Sequence, residues 1–197
     1  MKRLTREILE KILDNTEQMI DNNNFDKFYR YMYSLQDDIL ISEMSEFLLD
    51  SGINPLDYMS FVPYDYLAGC ENVIDVHIPS NVNRILDRAF TSSSIKEVSM
   101  DNVKKIGKGA FYNCGNLTSV KLSSDLEEID DLAFADCPNL ESLEIPSSVK
   151  KLGVNIIYKC PKCKPVFLGT QEQWEAVEKD GDLKEVDALY RKIQIND

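Results

Sequence analysis

The sequence predicts an α+β solenoid: a short right-handed coil of about 4–5 repeats of 22–23 residues, with an α-helical N-terminal domain over residues 1–60 and a helical C-terminal cap over residues 170–197. Three observations predict it. A motif returns at constant spacing through residues 61–169. Residues 1–60 carry apolar side chains at helical spacing. A helix-start signature follows the last repeat.

The repeat comes first. Val73–Phe90, Ile95–Asn116, Leu117–Asn139 and Leu140–Lys162 share the frame L-x-x-V-x-I-P-x-x-V-x-x-I-x-x-x-A-F-x-x-C-x-x. Their starting residues lie 22, 22 and 23 apart, and Cys114, Cys137 and Cys160 lie 23 apart. A half-repeat ending in Cys70-Glu-Asn72 precedes them. In the first full repeat serines stand where the cysteine is due. Cys163, Val166 and Leu168 take the L, V and I positions of a last strand. Alternation within each unit sends Val120 and Leu122 one way and Ser119 and Lys121 the other. One unit cannot bury its apolar face, whereas stacked copies can. Ala89-Phe90, Ala110-Phe111 and Ala133-Phe134 are then expected to stack inside the coil, and five strands give a sheet roughly 20 Å across.

The I-P-x-x-V-x-x-I and A-F-x-x-C residues resemble the BspA-like, or treponemal-type, leucine-rich repeat family of bacteria and some phages and protists. The resemblance covers about residues 61–169 and implies a leucine-rich repeat coil. It also implies an adhesin or a protein-interaction module without catalysis.

At the N-terminus, Leu4, Ile8, Leu9, Ile12 and Leu13 recur at three- and four-residue spacing. Phe25, Phe28, Met32 and Leu35 make a second stripe, and Ile39 to Leu49 a third, closed by Gly52 as a C′ residue. Asn54-Pro55 reads as N-cap and N1 of a short helical turn. This bundle is expected to cover the open edge of the first repeat. At the other end Thr170 and Gln173 form a capping box, with Trp174, Val177 and Leu183 closing the coil. The segment from Phe167 to Trp174 resembles one common after the last strand in the same family.

Charge bounds the partners. The net charge is −12, with the acid concentrated in residues 1–60 and 170–197. Such a surface disfavours nucleic acid and anionic membranes and leaves a basic protein open. Met1–Glu10 lacks the apolar run of a signal peptide, and no stretch approaches the roughly 20 apolar residues of a membrane span. Five cysteines, an odd number, fit reduced thiols. The expectation is a cytoplasmic protein.

Chemistry-bearing motifs are few. Cys160-Pro-Lys-Cys163 has the spacing of half a zinc site or a redox pair. Both cysteines are already accounted for by the repeat frame, and two further ligands are not at hand. The cysteine column reads as buried thiols rather than disulfides. His77 stands without a second histidine, and Gly107-Lys108-Gly109 lacks Walker spacing. No enzyme and no cofactor is expected. The row Asn83-Arg84, Lys104-Lys105, Glu127-Glu128, Lys150-Lys151 reads as charge pairing between coils, or as a patterned face.

The candidate protein-binding residues are Asp75, His77, Glu97, Ser99, Ser119, Lys121, Ser142 and Glu144, the outward row of the strands, with Phe167 at its end. Tyr29, Tyr31 and Tyr33 join them. They point about 200° apart in succession on one helix, so at least one should be exposed, unless all three pack between bundle and coil. The best functional reading is a protein-interaction module. An acidic inhibitor that mimics nucleic acid through residues 1–60 and an extracellular adhesin are the alternatives.

Overall fold

The computed structural model describes residues 27–29, 38–50, 52–180 and 194–195. Tyr31, Tyr33, Leu183 and the first apolar stripe lie outside them.

Every repeat contributes two strands, each paired in parallel with its counterpart one coil away. The L-x-x-V-x-I segments form β2 (Asp75–Ile78), β4 (Glu97–Met100), β6 (Ser119–Lys121), β8 (Ser142–Pro146) and β10 (Lys164–Leu168). They make one sheet of order β2-β4-β6 and another of order β8-β10-β12, where β12 is Gln194–Ile195. The two meet where Glu141 N donates to Thr118 O at 3.2 Å. The V-x-x-I segments end in two-residue strands: β1 (Phe61–Val62), β3 (Arg84–Ile85), β5 (Lys105–Ile106), β7 (Glu128–Ile129), β9 (Lys151–Leu152) and β11 (Glu178–Lys179). These form a six-stranded second sheet in simple chain order, which pattern reading did not foresee. Two residues are too short for an alternation signal.

Equivalent side chains fill the interior. Phe90 and Phe111 stack at 5.0 Å and 9° between rings, and Phe111 and Phe134 at 5.2 Å and 4°. All three are fully buried. Tyr66 continues the column edge-on to Phe90 at 6.1 Å, and Tyr29 follows at 6.2 Å. Cys114, Cys137 and Cys160 each donate Sγ–H to the phenylalanine carbonyl one coil earlier, at 3.1 Å. Ser93 holds the missing cysteine position, 3.5 Å from Cys114 Sγ.

Two backbone rows are left-handed. Asp65, Arg88, Gly109, Leu132 and Asn155 form one, and Gly69, Ser92, Asn113, Asp136 and Lys159 the other, all with φ between 52° and 71°. Only two of the ten are glycines, so the coil hydrogen bonds outweigh the strain of a left-handed side-chain residue, of order 1 kcal/mol each.

Three coils are one residue short, each at a different corner: between Ser93 and Ile95, between Met100 and Val103, and between Cys163 and Pro165. The last corrects the expected strand. Lys164 pairs with Ser142 and Phe167 with Ile145, so Pro165 and Phe167 hold the inward positions, not Val166 and Leu168. A one-residue slip exchanges the faces of a strand. Phe167 is therefore fully buried, 5.2 Å from Trp174, and is no part of the outward row, while Leu168 is 42% exposed.

At the N-terminal end α1 (Asp38–Asp50) is followed by Gly52 at φ 80°. Ile53 N donates to Leu48 O and Gly52 N to Leu49 O, the Schellman arrangement expected of a glycine C′. Asn54 Oδ1 accepts from Leu56 N at 3.1 Å, with Pro55 opening the 3₁₀ turn Pro55–Tyr58. Apart from α1 and residues 27–29, the described part of this region holds no further α-helix.

Among the described residues the expected C-terminal cap is helical only in part. The helix α2 (Gln171–Ala176) has six residues and carries the full Thr170–Gln173 capping box. Beyond it the chain returns to strand, because the open edge of β9 presents unpaired backbone groups. Glu178 N and Asp180 N fill them, donating to Lys150 O and Leu152 O. Thr170→Ala removes the cap and is expected to lower stability by about 1 kcal/mol, readable in a urea melt. An unchanged midpoint would mean that α2 adds nothing to the closure of the coil.

Candidate interaction face

The strand register sets the outward rows. Asp75, Glu97 and Ser119 are direct neighbours across β2, β4 and β6, and so are His77, Ser99 and Lys121. Ser142 and Glu144 project from β8 at its exposed positions. All of these are exposed except Ser99, which is half-buried. The row is thus brought together as the sequence pattern requires.

Within it His77 is engaged. Its Nδ1 lies 2.9 Å from Ser99 Oγ and its Nε2 3.4 Å from Asp101 Oδ2. Asp101, on the turn after β4, escaped sequence reading because it lies outside the strand pattern. The three side chains have the order of a nucleophile, base and orienting acid. They lie on an open face, however, where His77 and Asp101 are 59% and 52% exposed and nothing excludes water. Asp75, Glu97, Lys121 and Glu144 make no ion pair or side-chain hydrogen bond among the described residues.

The second sheet presents the opposite condition. Lys105 Nζ contacts Glu128 at 3.0 Å and Asp130 at 3.1 Å, Lys150 contacts Glu127 at 2.8 Å, Lys108 contacts Asp131 at 3.3 Å, and Lys151 contacts Asp180 at 2.9 Å. The charge row is lateral pairing between coils. The hydrogen bond and charge of Lys150 hold Glu127 below the usual carboxylate range. A depressed carboxylate pKa contributes stability above the unfolded value, about 4.3 for glutamate, which is lost as pH falls through the folded one. Acid titration of the Glu127→Gln variant should therefore show a shallower loss of stability than wild type below about pH 4.3. Parallel curves would dismiss the pairing as a contributor.

Tyr29 is corrected. It is buried, with its hydroxyl 2.7 Å from Ser45 Oγ, which in turn donates to Ile41 O. Packing against α1 and Tyr66 accounts for it, so it offers no contact surface. The exposed aromatics among the described residues are instead Tyr58, Tyr64, Tyr112 and Tyr158. Tyr112 and Tyr158 both follow the A-F pair of the frame, a position whose variability hid them. Beside β2, Glu71, Ile74, Ser94, Lys96, Asn116 and Asn139 line a groove of about 360 Å³, with Ile74 54% exposed. It falls on the corner columns flanking the L position, where asparagine recurs before it (Asn72, Asn116, Asn139) but no apolar residue recurs after it.

All five cysteines are buried and none forms a disulfide. The Cys137 thiol lies between those of Cys114 and Cys160, and this contact together with burial pushes its pKa up. Burial pushes the Cys163 thiol up to about 12. Thiolate is the reactive form, so a thiol reagent should label Cys137 and Cys163 at least 10-fold faster in urea than in the folded protein. Equal rates would show the column to be open. The described residues contain no group of three or more potential metal ligands.

The family model for the BspA type leucine rich repeat region matches residues 49–164 in six copies. A leucine rich cell surface protein from Faecalibacterium prausnitzii A2-165 is similar at a TM-score of 0.51 and 26% identity, over 58% of this chain and 37% of that one. A leucine rich repeat protein from T. pallidum is similar at a TM-score of 0.50 and 28% identity, over 59% of this chain and 54% of that one. The chain thus spans about half the length of these relatives or less. No curated protein matches it.

Proposed function

The chain belongs to the BspA-type leucine rich repeat family, and from that premise we propose that it is a protein-interaction module without catalysis or cofactor, docking another protein on the outward face of β2, β4, β6 and β8. One observation carries this reading. Lysines and carboxylates of the six-stranded sheet pair with one another between coils, while Asp75, Glu97, Lys121 and Glu144 make no ion pair or side-chain hydrogen bond among the described residues. Polar side chains without internal partners supply recognition at little cost to the fold. The serines between them keep the surface flat. This face is short for the roughly 800 Å² that each partner of a specific complex buries, so the footprint extends beyond the strands.

A photo-crosslinking residue at Ser119 or Ser142 should capture the same partner, and one at Glu127, on the paired sheet, should capture none. Ser119→Trp should abolish the capture. Crosslinking from Glu127, or undiminished binding by Ser119→Trp, would overturn the assignment.

A second reading is a cell-surface module, favoured by the description of the F. prausnitzii protein. It requires the chain to be cut by protease added to intact producing cells, and full protection would remove it.

A further inference from the structure

The register places two acidic side chains side by side, neither with an ion-pair partner among the described residues. Asp75 and Glu97 are Cα partners on β2 and β4, so their backbones are about 4.8 Å apart. Both are exposed on the same face. Like charges directly opposite each other destabilise a sheet. On the second sheet, where Glu127, Glu128, Asp130 and Asp131 crowd together, lysines from the adjacent coils intervene. Here none does. His77 is turned toward Ser99 and Asp101, and Lys96 lines the groove beside Ile74. The groove opens next to the pair, since Ile74 and Lys96 immediately precede Asp75 and Glu97 in the chain. Its Ile74 side chain is 54% exposed.

We infer that this corner of the face accepts an extended protein segment carrying one arginine beside an apolar residue, the guanidinium bridging Asp75 and Glu97 and the apolar side chain resting on Ile74. The inference rests on the docking face proposed above and specifies its occupant. Charge complementarity selects a cation. The planar fork of five donors selects arginine over lysine, because it reaches two carboxylates at once. An extended segment fits because the pair and the groove both run across successive coils, Asp75 beside Glu97 and the groove lined from Glu71 to Asn139.

The test is selection of random 12-residue peptides displayed on phage against the full chain. The expected peptides share an arginine next to an apolar residue. Replacing that arginine by citrulline should weaken binding at least 10-fold. The D75N/E97Q protein should lose binding at least 10-fold, and E127Q/E128Q should bind like wild type. Without peptide, D75N and E97Q should each raise the urea midpoint, with the double variant gaining less than the sum. Selected peptides without arginine, equal binding by D75N/E97Q, equal loss in E127Q/E128Q, or no selected peptide would each overturn the inference. The Ser119→Trp protein separates the two levels. Arginine-free peptides that it fails to bind leave the face standing and remove only the arginine, whereas peptides that it binds remove both.

Discussion

Phe111→Ala is expected to cost about 3–5 kcal/mol of folding stability, the largest loss expected of any single substitution in the coil. Its ring lies between Phe90 and Phe134 at 5.0 and 5.2 Å, nearly parallel to both, and is fully buried. Truncation removes the transfer free energy of the ring and two stacking contacts together. It also leaves a cavity that the neighbouring coils, held by Phe111 N to Ala133 O at 2.8 Å and Phe90 N to Ala110 O at 2.8 Å, cannot close. Phe111→Leu keeps most of the volume and should lose roughly half as much. Urea denaturation followed by circular dichroism measures both. A loss under about 1 kcal/mol for Phe111→Ala, well below the usual range for a buried phenylalanine, would mean that the column is ornamental to stability.

Gly153→Ala is expected to destabilise by about 1–3 kcal/mol through overpacking, and Gly115→Ala by far less. A Cβ on Gly153 would come within 2.3 Å of Asp131 N, whereas one on Gly115 meets nothing within 4 Å. The close approach has a purpose. Asp131 Oδ1 accepts from Val154 N at 3.0 Å, and Asp87 Oδ1 accepts from Lys108 N at 3.0 Å beside Gly107. Each aspartate ties its coil to the next only because a glycine there lets the backbones meet. The comparison is made by thermal melts of the two variants, and equal midpoints would show that the coils can part at this point without loss.

The column positions were legible because they recur. Phe90, Phe111 and Phe134, the cysteines and the outward row all follow from a constant period and strand alternation. Features that do not recur were hidden. The slip at Cys163–Pro165, which buries Phe167, breaks the period once. The second sheet consists of residue pairs too short to alternate. On a helix Tyr29, Tyr31 and Tyr33 would point in different directions, and periodicity alone does not say which packs. Asp101 and the Ile74 groove lie at corners, where neither strand nor helix spacing applies. The candidate face was therefore readable as a row, while its internal pairing and its neighbours needed coordinates.

The three coils that each lack one residue at a different corner, with the ladders still in phase, imply that length variation is absorbed locally. A bend can shorten without passing the error on to the next turn. Such a chain can gain or lose whole windings, or single residues at its bends, while the rods between them keep their alignment. Variation in this lineage should accumulate at the bends, and a loop grafted there for engineering should leave the rest of the spring undisturbed.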